Sequence, residues 1–436
     1  MSDGHESRTN VVITGAGVVS PIGIGLEAFT ESLLNGKSGI SEFQLFEEGI
    51  LPSHIGGEVS DFNQKSVRDY VPKKGRKSLK VMCREIQLGV ASSHLAIENA
   101  GVGNGEVAPE RFGVEFGANL MFSPPTVLKD ACLSCWDLDE NHFHFDQWGT
   151  TGLSKMEPLW LLQYLPNMPA CHIGIFYDLR GPSNSQTMDE ASGNIVLGEA
   201  VRIIERGAAD VMIAAATGTR LHPVKTVHAV MWDTVAKADN PAEACRPFEK
   251  NRSGQVIAEG ACSLILESEE HANARGANIL GRILGTGTAC VTSPNLIGDT
   301  KKSLVIAMQK ALKSAGLTPD DIGHINAHGL GVIETDRDEA AAINEVFGGC
   351  KTPVPVTSLK SYFGNSGASC GMLEIAGSLM ALQSGVIPPT LNYDTPDPEC
   401  PINVISGEPL KTENRTFLNI DVTRQGQASA AVIQAN

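Results

Sequence analysis

One acidic side chain stands where the chain is well arranged to hold an anion. The segment Arg180-Gly-Pro-Ser-Asn-Ser-Gln-Thr-Met-Asp-Glu190-Ala-Ser-Gly193 is rich in turn residues, and Ile195-Val-Leu-Gly-Glu-Ala200-Val-Arg-Ile-Ile204 after it is apolar at helical spacing. Glu190 is therefore expected at a turn beside a helix N-terminus, where unpaired N–H groups and the helix dipole oppose the cost of burying a charge. Such a carboxylate can act as a general base, attack an activated acyl group, or serve as a fixed structural charge. Two other groupings have chemical residue types. Cys132-Leu-Ser-Cys135 with His142-Phe-His144 offers zinc ligands, but the spacing fits no zinc finger and no metal is expected. Val11-Val-Ile-Thr-Gly15-Ala-Gly17-Val-Val-Ser20-Pro21 begins like a dinucleotide-binding turn. Ser20 replaces the third glycine there, and no acidic residue ends a second strand at the usual offset, so no cofactor is expected.

Positioning these residues takes more than one core. A chain of 436 residues is long enough for two packed halves. Its 45 glycines and 5% aromatics suit an α/β protein with many tight turns. No apolar run approaches the roughly 18 residues of a membrane span. The polar opening, Met-Ser-Asp-Gly-His-Glu-Ser-Arg, leads directly into a strand pattern, so no export signal is expected. Ten cysteines in so long a chain make no compact disulfide framework, which favours reduced thiols and a cytoplasmic location. The formal net charge of −16 argues against nucleic acid. Against that background, Lys73-Lys74-Gly-Arg76-Lys77-Ser-Leu-Lys80 places five positive charges in eight residues, just before a helical stretch from Met82.

Several segments resemble the β-ketoacyl-ACP synthases. Laid without gaps on that family's elbow, a Thr-Ala-Cys-x-Ser-Gly run, Glu190 takes the place of the cysteine while Ser192 and Gly193 match. Arg246-Pro247-Phe248, Glu259-Gly260-Ala261, Asn326-Ala-His328-Gly329 and Ser358-Leu-Lys360-Ser-Tyr-Phe363-Gly364-Asn365 match further blocks. The likeness is weakest between residues 118 and 158. It implies a thiolase-like α/β fold of two similar halves, residues 1–265 and 266–436, each with a mixed five-stranded sheet and helices between and outside the sheets. It also implies a twofold dimer with strands paired across the interface.

The resemblance assigns roles to the pocket. The family works with a cysteine and two histidines; His328 matches the first histidine, and Asn365 takes the place of the second. Asparagine donates neutral hydrogen bonds but cannot become cationic or shuttle a proton. Lys360 and Glu374 keep the spacing of a supporting ion pair, and Asp336 and Glu339 match acidic positions. Leu330 and Val332 replace two threonines that bind the pantetheine arm, and Phe363 is expected among the substrate-binding residues. In the loop Asp421-Val-Thr423-Arg424-Gln425-Gly426-Gln427, Arg424 falls near a gating phenylalanine and is expected to pair with Glu190. Lys73, Lys74, Arg76 and Lys77 correspond to a carrier-protein docking region. Cys370, five residues after Asn365, is a distant candidate for a displaced nucleophile.

Together these features point to a synthase homologue of fatty-acid or polyketide type that does not perform the normal condensation. It is expected to act like a chain-length factor, as the partner of an active synthase. The alternative is an enzyme using Glu190 and His328 for decarboxylation, acyl transfer or hydrolysis of a thioester. Expected partners are an acyl carrier protein or acyl-CoA, with assembly as a homodimer or as a heterodimer with a cysteine-bearing synthase.

Overall fold

The computed structural model describes residues 9–47, 49–103, 105–295 and 297–436; the polar opening, residues 1–8, lies outside the described residues. The first half is built on strands β1 (Val11–Ser20), β2 (Phe112–Ala118), β3 (Ser183–Gln186), β4 (Val211–Thr219) and β5 (Ile257–Ser268). They lie in the order β3-β2-β4-β5-β1, with β3, β2 and β4 parallel and the last two joints antiparallel. The second half uses β6 (Gly281–Cys290), β7 (His324–Asn326), β8 (Pro355–Thr357), β9 (Thr416–Val422) and β10 (Gln427–Ala435). Its order, β8-β7-β9-β10-β6, repeats the same parallel and antiparallel joints. This is the expected pair of similar halves, each with five main strands in a mixed sheet, to which Asn403–Val404 adds a short parallel strand at the β8 edge. A short antiparallel seam joins them, Val11–Ile13 against Gly281–Ile283. β5 runs on to Ser268, so position 265 falls inside a strand.

The central strands are buried on both faces, which is why Val211–Thr219 and Ile257–Ser268 run through apolar and small residues without polar alternation. The helices that cover them are α1 (Arg84–Ala100), α2 (Ser192–Glu205), α3 (Pro223–Trp232), α4 (Thr300–Ala315), α5 (Ile333–Phe347) and α6 (Cys370–Gln383). α2 and α6 are buried almost all round and pack on each other inside the molecule, while α1 and α4 cover outer faces. The Gly15-x-Gly17 pattern belongs to this packing. A Cβ on Gly17 would sit 2.1 Å from the Ser92 carbonyl of α1, and in the second half one on Gly287 would sit 2.2 Å from the Ala307 carbonyl of α4. Glycine lets each helix lie directly on its strand, and the sequence repeats the device as Gly285-x-Gly287. Among the described residues no helix is long and apolar enough to cross a membrane.

Candidate active site

Glu190 lies in the 3-10 turn Asp189–Ala191, which runs directly into α2 at Ser192. The preceding residue, Asp189, turns the corner with a left-handed φ of 44°. Glu190 is 6% exposed. Its Oε1 accepts from Nη2 of Arg220 at 2.5 Å and from Nδ2 of Asn365 at 3.0 Å, and the same Nη2 donates to Asp189 at 2.9 Å. Burial, the largest influence, pushes the carboxyl upward, but Arg220 foremost, together with His328 and hydrogen bonds that include one from Asn365, holds it below the usual carboxylate range.

Arg220, not Arg424, is therefore the cation of the site. Arg424 donates instead to the Trp232 carbonyl and, at 3.4 Å, to the Asp233 carboxylate, with its side chain 60% exposed. Topology explains the correction. Arg220 is the first residue beyond β4, the buried strand that runs beside α2, so it reaches the elbow from below. The available sequence signal was a lone arginine closing an apolar run. Arg424→Ala is accordingly expected to change stability by no more than about 1 kcal/mol in urea denaturation, leaving the Glu190 cluster intact.

Asn365 lies against Glu190. Its backbone bridges to Val256 and Ala258 beside β5. Nδ2 donates both to Glu190 and, at 2.8 Å, to Oε1 of Gln255, while Oδ1 accepts from the Gly367 N–H at 3.0 Å and the Cys370 thiol at 3.3 Å. Both amide protons are thus already used.

His328 follows β7, and the Glu339 carboxylate grips its N–H and that of Gly329 at 2.7 and 2.8 Å. Its Nδ1 faces Oδ1 of Asp421 at 3.1 Å. Burial, with help from the nearby Lys360 charge, lowers its pKa against the pull of Asp421. The neutral ring then carries its proton on Nδ1 and leaves Nε2 as an acceptor. Lys360 donates to Glu374 at 2.5 Å and to Asp421 at 3.1 Å, the supporting pair expected from spacing with Asp421 added. Asp336 accepts the backbone N–H groups of Phe248, Leu330 and Gly331, so it shapes the loop after His328.

The remaining candidates have plainer settings. Leu330 and Val332 are part-buried, with Val332 at the start of α5, and their side chains offer no hydrogen bond. Phe363 is wholly buried in the core cluster with Leu359, Tyr362 and Met372. Lys73, Lys74, Arg76 and Lys77 are all exposed on the 3-10 stretch Lys73–Val81, and the Lys74 ammonium lies 5.6 Å over the Tyr177 ring. Cys370 is buried and its thiol is pushed up to about 12, which disqualifies it as a nucleophile. Cys132 and Cys135 do not converge with the histidines. The ligand-type groups that do come within 4.8 Å of one another are Asp137, Glu140 and His144, part-buried or exposed and without a cysteine.

Comparison with known proteins agrees with this architecture. The family model described as "Beta-ketoacyl synthase, N-terminal domain" matches residues 8–272, and "Beta-ketoacyl synthase, C-terminal domain" matches residues 280–394. A relative from Coxiella burnetii, "3-oxoacyl-[acyl-carrier-protein] synthase 2", is 31% identical over 417 residues, covering 94% of this chain and 95% of that protein. Among solved structures, the ishigamide ketosynthase/chain length factor superposes with a TM-score of 0.83 at 26% identity, covering 99% of this chain and all of the other. A type II PKS acyl-carrier protein in complex with its ketosynthase bound to the hexaketide gives a TM-score of 0.82 at 26% identity, with 99% of this chain and 100% of that chain covered.

Proposed function

Because this chain belongs to the β-ketoacyl synthase family, we propose that it is a member of fatty-acid or polyketide type that does not condense, and that it acts as a chain-length-factor-like partner of a cysteine-bearing synthase. One observation carries the reading: the donors that face the elbow from Asn365 are already bonded within the protein. One amide proton of Asn365 goes to Glu190, which also takes Nη2 of Arg220, and the second amide proton goes to Gln255. His328 offers a lone pair where a developing oxyanion would need a donor. A carboxylate held below its usual range is a weak base and a poor substitute for a thiolate.

The surface supports a partner. β3 ends its side of the sheet, and the first half exposes Leu120, Ile175, Met188, Met231 and Trp232. An open strand edge with exposed apolar groups is commonly covered by another subunit. The patch of Lys73, Lys74, Arg76 and Lys77 is suited to an acidic carrier protein, whether it docks here or is shared with the partner.

Co-expression with a cysteine-bearing homologue tests the reading: a stable complex is expected. A lone homodimer that turns over malonyl-ACP or an acyl thioester, with Glu190→Gln slowing it by about 10²-fold or more, would establish the general-base alternative instead. Glu190→Cys is expected to yield no condensation, because Asn365 still cannot serve as an ionisable partner to His328. Robust product from that variant, measured by carrier-protein mass spectrometry, would refute the role given to Asn365.

A further inference from the structure

Two polar atoms at the centre of the cluster receive no hydrogen bond from the protein. Oε1 of Glu190 is fully engaged, yet Oε2 has no protein partner although the residue is more than nine-tenths buried. Nε of Arg220 is likewise buried and donates to no protein acceptor. The two atoms belong to groups already in contact through Nη2 and Oε1. Native interiors rarely keep such atoms unmatched, and here an acceptor and a donor of the same ion pair are both unmatched.

Charge narrows what fits. Lys225 is matched by Glu85 at 2.5 Å, and Asp233 by Arg424 at 3.4 Å. That leaves one guanidinium shared between Asp189 and Glu190, an excess of one negative charge. An entering carboxylate would meet that excess, and a simple cation would leave Nε unmatched.

We propose that this cluster is a subsite for the uncharged polar end of an acyl-type ligand, a hydroxyl or primary carboxamide that donates to Oε2 of Glu190 and accepts from Nε of Arg220, and that carboxylates are excluded from it. The inference deepens the reading of the pocket as non-condensing, but its test uses neither a synthase partner nor a carrier protein. The two can therefore fail separately.

Three probes of equal length, 1-propanol, propionamide and propionate, are titrated into the isolated protein and followed by saturation-transfer NMR. Propanol and propionamide are expected to bind at least about tenfold more tightly than propionate, a gap set by one like charge at contact range. In Glu190→Gln the site loses its charge and can turn an N–H toward the ligand, so propionate should gain on both uncharged probes. Asp189→Asn provides a second variant, since asparagine tolerates the left-handed backbone. It should admit propionate without weakening propionamide. Equal binding of propionate and propionamide to the unaltered protein, an order unchanged by both variants, or no binding of any probe would each overturn the subsite.

Discussion

Replacing Arg220 by alanine is expected to destabilise the fold by about 3–5 kcal/mol, because it leaves the Glu190 carboxylate buried without its cation. Asp189 loses the same partner. The double variant Arg220→Ala with Glu190→Gln should recover a large part of the loss, since a neutral amide removes the unmatched charge, and a double-mutant cycle in urea would measure the coupling. The pH dependence should also change sign. With Arg220 in place, the folded-state pKa of Glu190 lies below its unfolded value of about 4.3. Its contribution is then present above that value and fades as pH falls through the folded pKa. Without Arg220, burial dominates and the folded pKa rises above the unfolded one, so this group's contribution is lost as pH rises from about 4.3. Urea midpoints followed from about pH 8 to below about pH 4 would show this residue's contribution fading only at the acid end in the unaltered protein and fading as pH rises in the variant. Parallel curves would mean that Arg220 is not what holds Glu190 ionised.

Lys360→Met should be as costly, again about 3–5 kcal/mol, for the same reason deeper in the molecule. The ammonium lies between Glu374 and Asp421, all three side chains essentially without solvent contact. Methionine fills the space of the stem but leaves two acids facing each other. A second readout is independent of stability. Lys360 helps to hold the His328 pKa down while Asp421 pulls it up, so removing the lysine should raise it. An imidazole NMR titration should place His328 nearer to the range of an ordinary histidine. A loss below about 1 kcal/mol with an unmoved His328 would contradict the role given to Lys360.

Much of this was legible from residue order, and the exceptions have physical causes. The family resemblance rests on motifs spread along both halves, because strand-and-turn blocks such as Arg246-Pro247-Phe248 are local, and fold and duplication follow from that resemblance. The positions of His328, Lys360 and Asn365 follow for the same reason: each sits a fixed step from a strand end. The partner of Glu190 does not. Arg220 lies 30 residues away along the chain, and only the way β4 passes beside α2 brings it to the elbow, whereas Arg424 looked closer by analogy yet ends on the outside at Asp233. Orientation is equally hidden. Any asparagine at 365 carries two donors, but Gln255, Gly367 and Cys370 decide which way the amide faces. The pair Gly15 and Gly17 looks like the start of a nucleotide fingerprint until the helix lying on it is seen.

The left-handed corner at Asp189 has one more consequence. Successive residues of a regular helix diverge by roughly 100°, so neighbouring acids there could not close on the same cation. The kink, which costs a non-glycine residue roughly 1–2 kcal/mol, swings both carboxylates of Asp189-Glu190 onto a single guanidinium nitrogen. A bend suited to holding one reactive atom forward thus works here as a pincer. Relaxing it with glycine at 189 would ease the backbone and surrender one of its two jaws.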